Sequence, residues 1–265
     1  TCVYARDVSE PASHGTHVTG IFAAQDEGFL AGLGKASPGF DVIVDRNSDA
    51  GITANIAASV NLVQDGVRVL NWSWGIHRVG ARNIKGDEVD SLVRSGLAMS
   101  GYEELLEEFF LWLRAKHPDV IVVNSAGNGA SWSGTDEYRL PSSFVTEQLL
   151  VVGGHQRSEH AVPVNDPRHV RKRHSSNIDS RVDVSAAACL RPSGAKPHCG
   201  TSYATPLVAA TVAAMLAINP ALTPAQVRML LRRSALTLGE QQDFEAMDAE
   251  DLSLIHISEP TRQEA

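Results

Sequence analysis

One serine of this chain stands in a context that suits nucleophilic chemistry. Ser202 lies in the small-residue turn 200–206, at the start of an apolar helix that we predict over 203–218. At a helix start the backbone N–H groups lack intrahelical partners and the dipole is positive, so negative charge is stabilised there. The alternative is an ordinary N-cap serine, which stabilises a helix without doing chemistry. A chemical role for Ser202 therefore needs partner residues elsewhere in the chain.

A pair of histidines near the N-terminus supplies a candidate base. His14 and His17 occur in the run HGTHVTG, and the small and apolar residues that follow predict a helix beginning near His14. Imidazole titrates near neutral pH, so it can take a proton from a hydroxyl and return it to a leaving group. Either histidine could instead cap or pack, and we expect His17 to have that structural role.

Buried strands that alternate with helices must position these residues. Alternation of this kind predicts an α/β fold, a three-layer sandwich with a mostly parallel central sheet and helices on both faces. Residues 76–101 are expected to be an irregular surface insertion. The predicted strands are 40–44, 67–75, 119–123, 149–154 and 182–184. The predicted helices are 14–24, 52–63, 102–116, 203–218 and 223–234.

The strand 119–123 runs directly into a small polar loop, 124–129, with the sequence NSAGNG. Open parallel sheets place their ligands and reacting groups just beyond the carboxyl ends of their strands. This loop is therefore the third candidate part of a site.

Composition narrows the function classes. The formal net charge of −8 does not favour a general affinity for nucleic acid, and we expect no membrane span among the apolar runs. Cys189 and Cys199 flank the segment before Ser202, and their spacing allows a small disulfide loop or two unpaired thiols. Cys2 is left over.

Three segments stand in one order: HGTHVTG at 14–20, SAGNG at 125–129 and GTSYATP at 200–206. Together they resemble the subtilisin-like serine proteases, the subtilases, over most of residues 1–252. The resemblance implies the subtilisin-like three-layer fold and a serine endopeptidase that cleaves proteins or peptides without a cofactor. A structural calcium ion is common in the family, but no metal ligand is assigned here.

The resemblance gives each candidate a role. Ser202 would be the nucleophile that forms the acyl-enzyme, and His14 the general base and then the general acid. Asn128 would donate its amide to the oxyanion, together with the Ser202 backbone N–H. The substrate would lie between the edge strand Ser73, Trp74 and Gly75 and a second wall of Ala126 and Gly127, with Gly153 and Gly154 near the pocket floor.

The family's aspartate does not fit any residue of this chain. Only Asp7 precedes His14, and seven residues leave no room for the usual strand and loop. We therefore expect an N-terminally truncated fragment of impaired activity, which lacks its first strand and its Asp segment. The segment 253–262 resembles a translated sequencing adaptor, so residues 253–265 are expected to be a non-native tail beyond the catalytic domain, 1–252.

Two other functions remain in view. A non-catalytic subtilase-like binding domain fits the missing aspartate, but it does not need His14, Asn128 and Ser202 together. An unrelated α/β hydrolase is disfavoured, because GxSxG is absent around Ser202 and the histidine precedes the serine. By resemblance we expect a monomer that is secreted or periplasmic and binds protein or peptide substrates, not nucleic acid or membrane.

Overall fold

Helices and strands alternate along the chain, as its hydrophobic periodicity predicts. The computed structural model describes residues 14–23, 28–33, 39–45, 52–77, 91–128, 139–159, 161–177, 181–190, 196–237 and 255–256. The helices are α1 (His14–Ala23), α2 (Phe29–Leu33), α3 (Ile52–Gln64), α4 (Ser91–Lys116), α5 (Thr201–Ile218) and α6 (Pro224–Ser234). The strands are β1 (Val69–Trp72), β2 (Ile76–His77), β3 (Ile121–Ser125), β4 (Arg139–Leu140), β5 (Leu149–Arg157), β6 (Val170–Lys172), β7 (Val184–Ala187), β8 (Cys189–Leu190), β9 (His198–Cys199), β10 (Leu236–Thr237) and β11 (Ile255–His256).

The central sheet is mostly parallel. Its strand order is β1-β3-β5-β7-β11-β10, and the neighbours from β1 to β11 run parallel. Two antiparallel contacts complete it, β6 on the far end of β5 and β10 on β11. Two small antiparallel ribbons, β2 with β4 and β8 with β9, lie outside the sheet.

Successive residues of the central strands face two separate cores. Ile121 and Val123 of β3 pack in the cluster that contains the apolar faces of α5 and α6. Val122, between them, packs in the cluster that contains α3 and α4. Because side chains alternate along a strand, a sheet covered on both sides needs continuous hydrophobic runs. The predicted three-layer α/β fold is confirmed.

The helix α5 is the core element that carries Ser202. Eleven of its eighteen residues are buried, and it packs against β1, β3, β5 and β7. Judged by length and composition alone, this helix could span a membrane. The sequence-based expectation that no apolar run is that long was therefore wrong. Its burial against the sheet explains the same composition, since a helix that is apolar all round belongs in a core.

Two segments differ from the predictions. The run 40–44 is not a strand, and its residues Ile43 and Val44 are each 59% exposed. An apolar run forms a strand only where a neighbouring strand accepts and donates its backbone hydrogen bonds. The stretch 76–101, which was expected to be irregular, contains β2 and the first turns of α4. The helix α4 continues through Gly101, so this glycine lowers the helix propensity without ending the helix. Residues 255–256 form β11 within the segment 253–265, and the expectation that this segment is a non-native tail stays a prediction. Cys2 and Asp7 lie outside the described residues.

Candidate active site

Four chain segments meet at the carboxyl edge of the parallel sheet. The strands β1 and β3 end at Trp72 and Ser125 and continue into the two predicted substrate walls. The helices α1 and α5 begin beside them, and they pack on each other through Val18, Ile21 and Tyr203. Parallel strands place their carboxyl ends at one edge, which is why segments far apart in sequence converge here.

The half-buried Ser202 lies in the first turn of α5 and is tied to the first wall. Its hydroxyl donates to the Ser73 carbonyl oxygen at 3.3 Å, and the Ser73 hydroxyl donates to the Ser202 carbonyl oxygen at 2.9 Å. A third hydrogen bond, from the Asn71 amide to the Ser73 hydroxyl at 3.1 Å, holds that wall in place. The nucleophile candidate thus lies directly beside the segment predicted to bind substrate.

His14 begins α1 and faces α5. Its ring centroid lies 5.7 Å from that of Tyr203, the residue after Ser202. Partial burial of the ring, and then the charge of His17, lower the pKa of His14, although the residue remains exposed overall. Within the described part of the chain, the Ser202 hydroxyl bonds to Ser73 and not to His14. The structure therefore brings the two residues onto neighbouring helix starts without joining them.

Asn128 is oriented by the residue before Ser202. Its Oδ1 accepts from the Thr201 backbone N–H at 2.9 Å and from the Thr201 hydroxyl at 3.3 Å. The Thr201 Oγ1 in turn accepts from the Gly127 N–H at 3.2 Å. Since the oxygen end of the amide is held by Thr201, its Nδ2 end is the one that can donate to another group.

The two predicted walls are fixed by side-chain amides. The Nδ2 of Asn124 donates to the carbonyl oxygens of Trp72 and Trp74, at 2.7 and 2.8 Å. The Asn177 side chain donates to the Ala126 carbonyl oxygen at 3.1 Å. Both amides are fully buried, so they act as rigid supports for the backbone on each side.

A residue that the sequence did not single out, Arg139, lies between Gly75 and Gly127 of the two walls. Gly153 and Gly154 are buried in β5, and a Cβ atom on either would contact Ser176 and residues of β7 or next to it. Their place near the floor of a substrate pocket stays a prediction. In sequence, a single arginine before Leu-Pro is indistinguishable from a solvated surface cation, so no signal marked it.

A disulfide joins Cys189 to Cys199 and closes the ribbon of β8 and β9 just before α5. This bond constrains the turn that leads into Ser202. Among the residues that the structure describes, no group of three or more His, Cys, Asp or Glu side chains could hold a metal ion.

Comparisons with known proteins show the family of this chain. Residues 3–252 match the Subtilase family. The chain is 26% identical over 243 residues to the cell wall-associated protease of Bacillus subtilis (strain 168), covering 89% of this chain and 22% of that protein. It is 26% identical over 273 residues to an extracellular serine protease of Serratia marcescens, covering 85% of this chain and 26% of the other. It therefore spans about a quarter of the length of these relatives.

Solved structures share the fold. A cold adapted subtilisin-like serine proteinase aligns with a TM-score of 0.51 at 24% identity, covering 84% of this chain and 67% of that one. The prenylagaramide maturation protease PagA aligns with a TM-score of 0.53 at 18% identity, covering 96% and 82%. With the family match extending over nearly every residue, the chain belongs to the subtilase family.

Proposed function

We propose that the protein containing this chain is a serine endopeptidase that forms an acyl-enzyme on Ser202. His14 removes the hydroxyl proton and later returns it to the leaving amine. Asn128 and the Ser202 backbone N–H stabilise the oxyanion. Catalysis by these groups requires no cofactor.

The observation that carries the proposal is the support around Ser202. Asn128 is held through its oxygen by Thr201, which leaves its Nδ2 to donate toward charge that develops beside the neighbouring serine. A donor fixed before the reaction stabilises the transition state without reorganisation during it. An ordinary N-cap serine would need none of this arrangement.

The reaction follows from these positions. The Ser202 oxygen attacks a peptide carbonyl carbon while His14 takes its proton, which gives a tetrahedral intermediate with its negative oxygen near Asn128. When the C–N bond breaks, the protonated His14 supplies a proton to the leaving amine. Water then repeats the sequence on the acyl-enzyme and releases the acid. For these steps the hydroxyl must turn from Ser73 toward His14, since its hydrogen bond is to the Ser73 carbonyl oxygen.

Substrates are proposed to be proteins or peptides bound in an extended conformation along Ser73–Gly75. A strand edge offers backbone donors and acceptors that a small ester cannot use. The relatives named cell wall-associated and extracellular support a secreted protein, and the disulfide fits an oxidising compartment. A monomer without nucleic-acid or membrane partners is part of the same proposal.

One observation favours a second function, a non-catalytic binding domain. Within the described residues, His14 has no carboxylate hydrogen-bonded to its ring and no bond to Ser202. Without a carboxylate, the tautomer of the imidazole is not fixed and its cation is not stabilised. Such a domain would bind extended peptides along Ser73–Gly75 without cleaving them.

Covalent labelling separates the two functions. The full-length protein that contains this chain is treated with a fluorophosphonate, and the labelled residue is identified by mass spectrometry. Labelling of Ser202, its loss in Ser202→Ala and its retention in Ser234→Ala, an exposed serine on α6, are expected. A folded protein that takes up no label at Ser202 would be the binding domain.

A further inference from the structure

A buried cation lies between the two walls of the proposed substrate pocket. Arg139, the first residue of β4, is 4% exposed. A Cβ atom at Gly75 would overlap its guanidinium group, and one at Gly127 would lie 2.9 Å from its Cδ. Because neither wall carries a side chain at these positions, the arginine side chain fits between them.

Neutral oxygens hold the guanidinium in one orientation. Its Nη1 donates to the Ser125 carbonyl oxygen, to the Ser142 hydroxyl at 3.1 Å and to the Asn124 Oδ1 at 3.4 Å. Its Nη2 donates to the Ser125 hydroxyl at 3.0 Å. Pairing of Arg139 with His77 across β2 and β4 also anchors its backbone to the chain directly after Gly75. The cation is therefore built into the pocket.

The location fixes which substrate group would meet this cation. Ser73 hydrogen-bonds to Ser202 through both its hydroxyl and its carbonyl, so the wall Ser73–Gly75 is adjacent to the reacting atom. The side chain of the residue whose carbonyl reacts would therefore point toward the guanidinium group of Arg139, which lies between Gly75 and Gly127.

We propose that Arg139 makes this pocket selective for an acidic side chain, Glu or Asp, immediately before the scissile bond. The proposal rests on the proposed endopeptidase function. Guanidinium stays protonated at all relevant pH values, so its positive charge attracts a carboxylate. It repels Lys and Arg, and because its side chain occupies space between Gly75 and Gly127 it disfavours a large aromatic ring there.

The first test needs no substitution. The full-length protein is given peptides that differ only before the scissile bond, with Glu, Gln, Asp, Asn, Leu or Lys there. We expect kcat/KM to be roughly 10- to 100-fold higher for Glu than for Gln, as for a charged hydrogen bond over a neutral one, and lowest for Lys. Equal values for Glu and Gln, or a preference for Lys or Leu, would overturn the assignment.

Two variants assign the selectivity to this residue. Arg139→Gln removes the charge and should bring the Glu to Gln ratio to about 1, whereas Arg139→Lys keeps the charge and should retain a ratio above 1. Arg114→Gln, which removes the same charge from the exposed end of α4, should leave the ratio unchanged. Thermal unfolding checks that each variant is folded. If Arg139→Gln does not fold, the peptide series on the unsubstituted protein alone decides whether the site prefers an acidic side chain.

A binding measurement separates failure of this proposal from failure of the endopeptidase function. Fluorescence anisotropy gives the affinity of Ser202→Ala for the Glu and Gln peptides, which this variant cannot consume. Tighter binding of the Glu peptide, about 10-fold, without hydrolysis by the unsubstituted protein would support the carboxylate site and refute the endopeptidase. Hydrolysis without any preference for Glu would refute the proposed role of Arg139 but leave the endopeptidase function intact. Equal binding of both peptides, or binding of neither, would also refute the role of Arg139.

Discussion

The backbone N–H of Thr201 donates to the Oδ1 of Asn128 at 2.9 Å and links the end of β3 to the start of α5. The Thr201 hydroxyl strengthens the link, because it donates to the same Oδ1 and accepts from the Gly127 N–H. One fully buried threonine thus positions both the proposed oxyanion donor and the segment that carries it.

Thr201→Val removes the hydroxyl and keeps the backbone bond and the side-chain shape. We expect kcat to fall about 10-fold with little change in KM, since the donor is misaligned only where charge develops. Stability should fall by about 1–3 kcal/mol because the buried Gly127 N–H loses its acceptor. Steady-state kinetics and denaturant unfolding measure both. Thr211→Val, which removes a similar hydroxyl further along α5, is the control, and an unchanged kcat in Thr201→Val would contradict the positioning role.

Asn128→Leu removes the proposed oxyanion donor itself. Loss of one such donor lowers kcat by about 10²–10³, a magnitude that comes from a subtilisin and is borrowed here. KM should change little, because a ground-state carbonyl carries no full charge. Kinetics on a peptide substrate test this, and a loss confined to KM would remove Asn128 from the oxyanion site.

Gly127→Ala tests the second wall. Gly127 has φ +104°, and a Cβ there would lie 2.6 Å from the Asn177 Nδ2. Gly66 shares the positive φ, at +98°, but has open space around it. Gly66→Ala should therefore cost only the backbone strain of about 1–2 kcal/mol, and Gly127→Ala clearly more. If the two variants lose the same free energy of unfolding in urea, the residues around Gly127 move aside without cost.

Reduction of the disulfide between Cys189 and Cys199 should destabilise the chain. Opening a ten-residue loop costs roughly 2.5–3 kcal/mol in the chain-entropy description. Urea unfolding with and without a reductant measures the difference, and the double variant Cys189→Ser with Cys199→Ser should reproduce it. If reduction leaves the unfolding midpoint unchanged, the bond does not stabilise the turn before Ser202.

His14 should titrate below its ordinary pKa of 6.5 in this 265-residue chain, because its partial burial and the charge of His17 oppose protonation. The unfolded chain then takes up the proton first as the pH falls, so stability contributed by this site declines below pH 6.5. NMR titration of the His14 ring measures the pKa, and His17→Gln should raise it part of the way back. A pKa above 6.5 would contradict the combined effect of burial and His17.

Local patterns in the sequence already determined much of this protein. Continuous apolar runs specified strands buried on both faces, and capping predicted the start of α6, where Thr223 and Gln226 form the reciprocal pair. The three motifs predicted roles for His14, Asn128 and Ser202, and these roles stay predictions that labelling and kinetics test. For the run 40–44 the same reasoning was wrong, since hydrophobicity supplies no bonding partner.

Only the tertiary structure decided what surrounds these residues. The hold of Thr201 on Asn128 crosses 73 positions, and the contact of Arg139 with Gly75 crosses two strands that lie apart in sequence. The sequence does not show whether an arginine is surrounded by water or by protein. The burial of Arg139 results from the close approach of backbone segments that are distant in sequence. The sequence therefore determined which groups are present, and the packing at the sheet edge decided which of them lie next to one another.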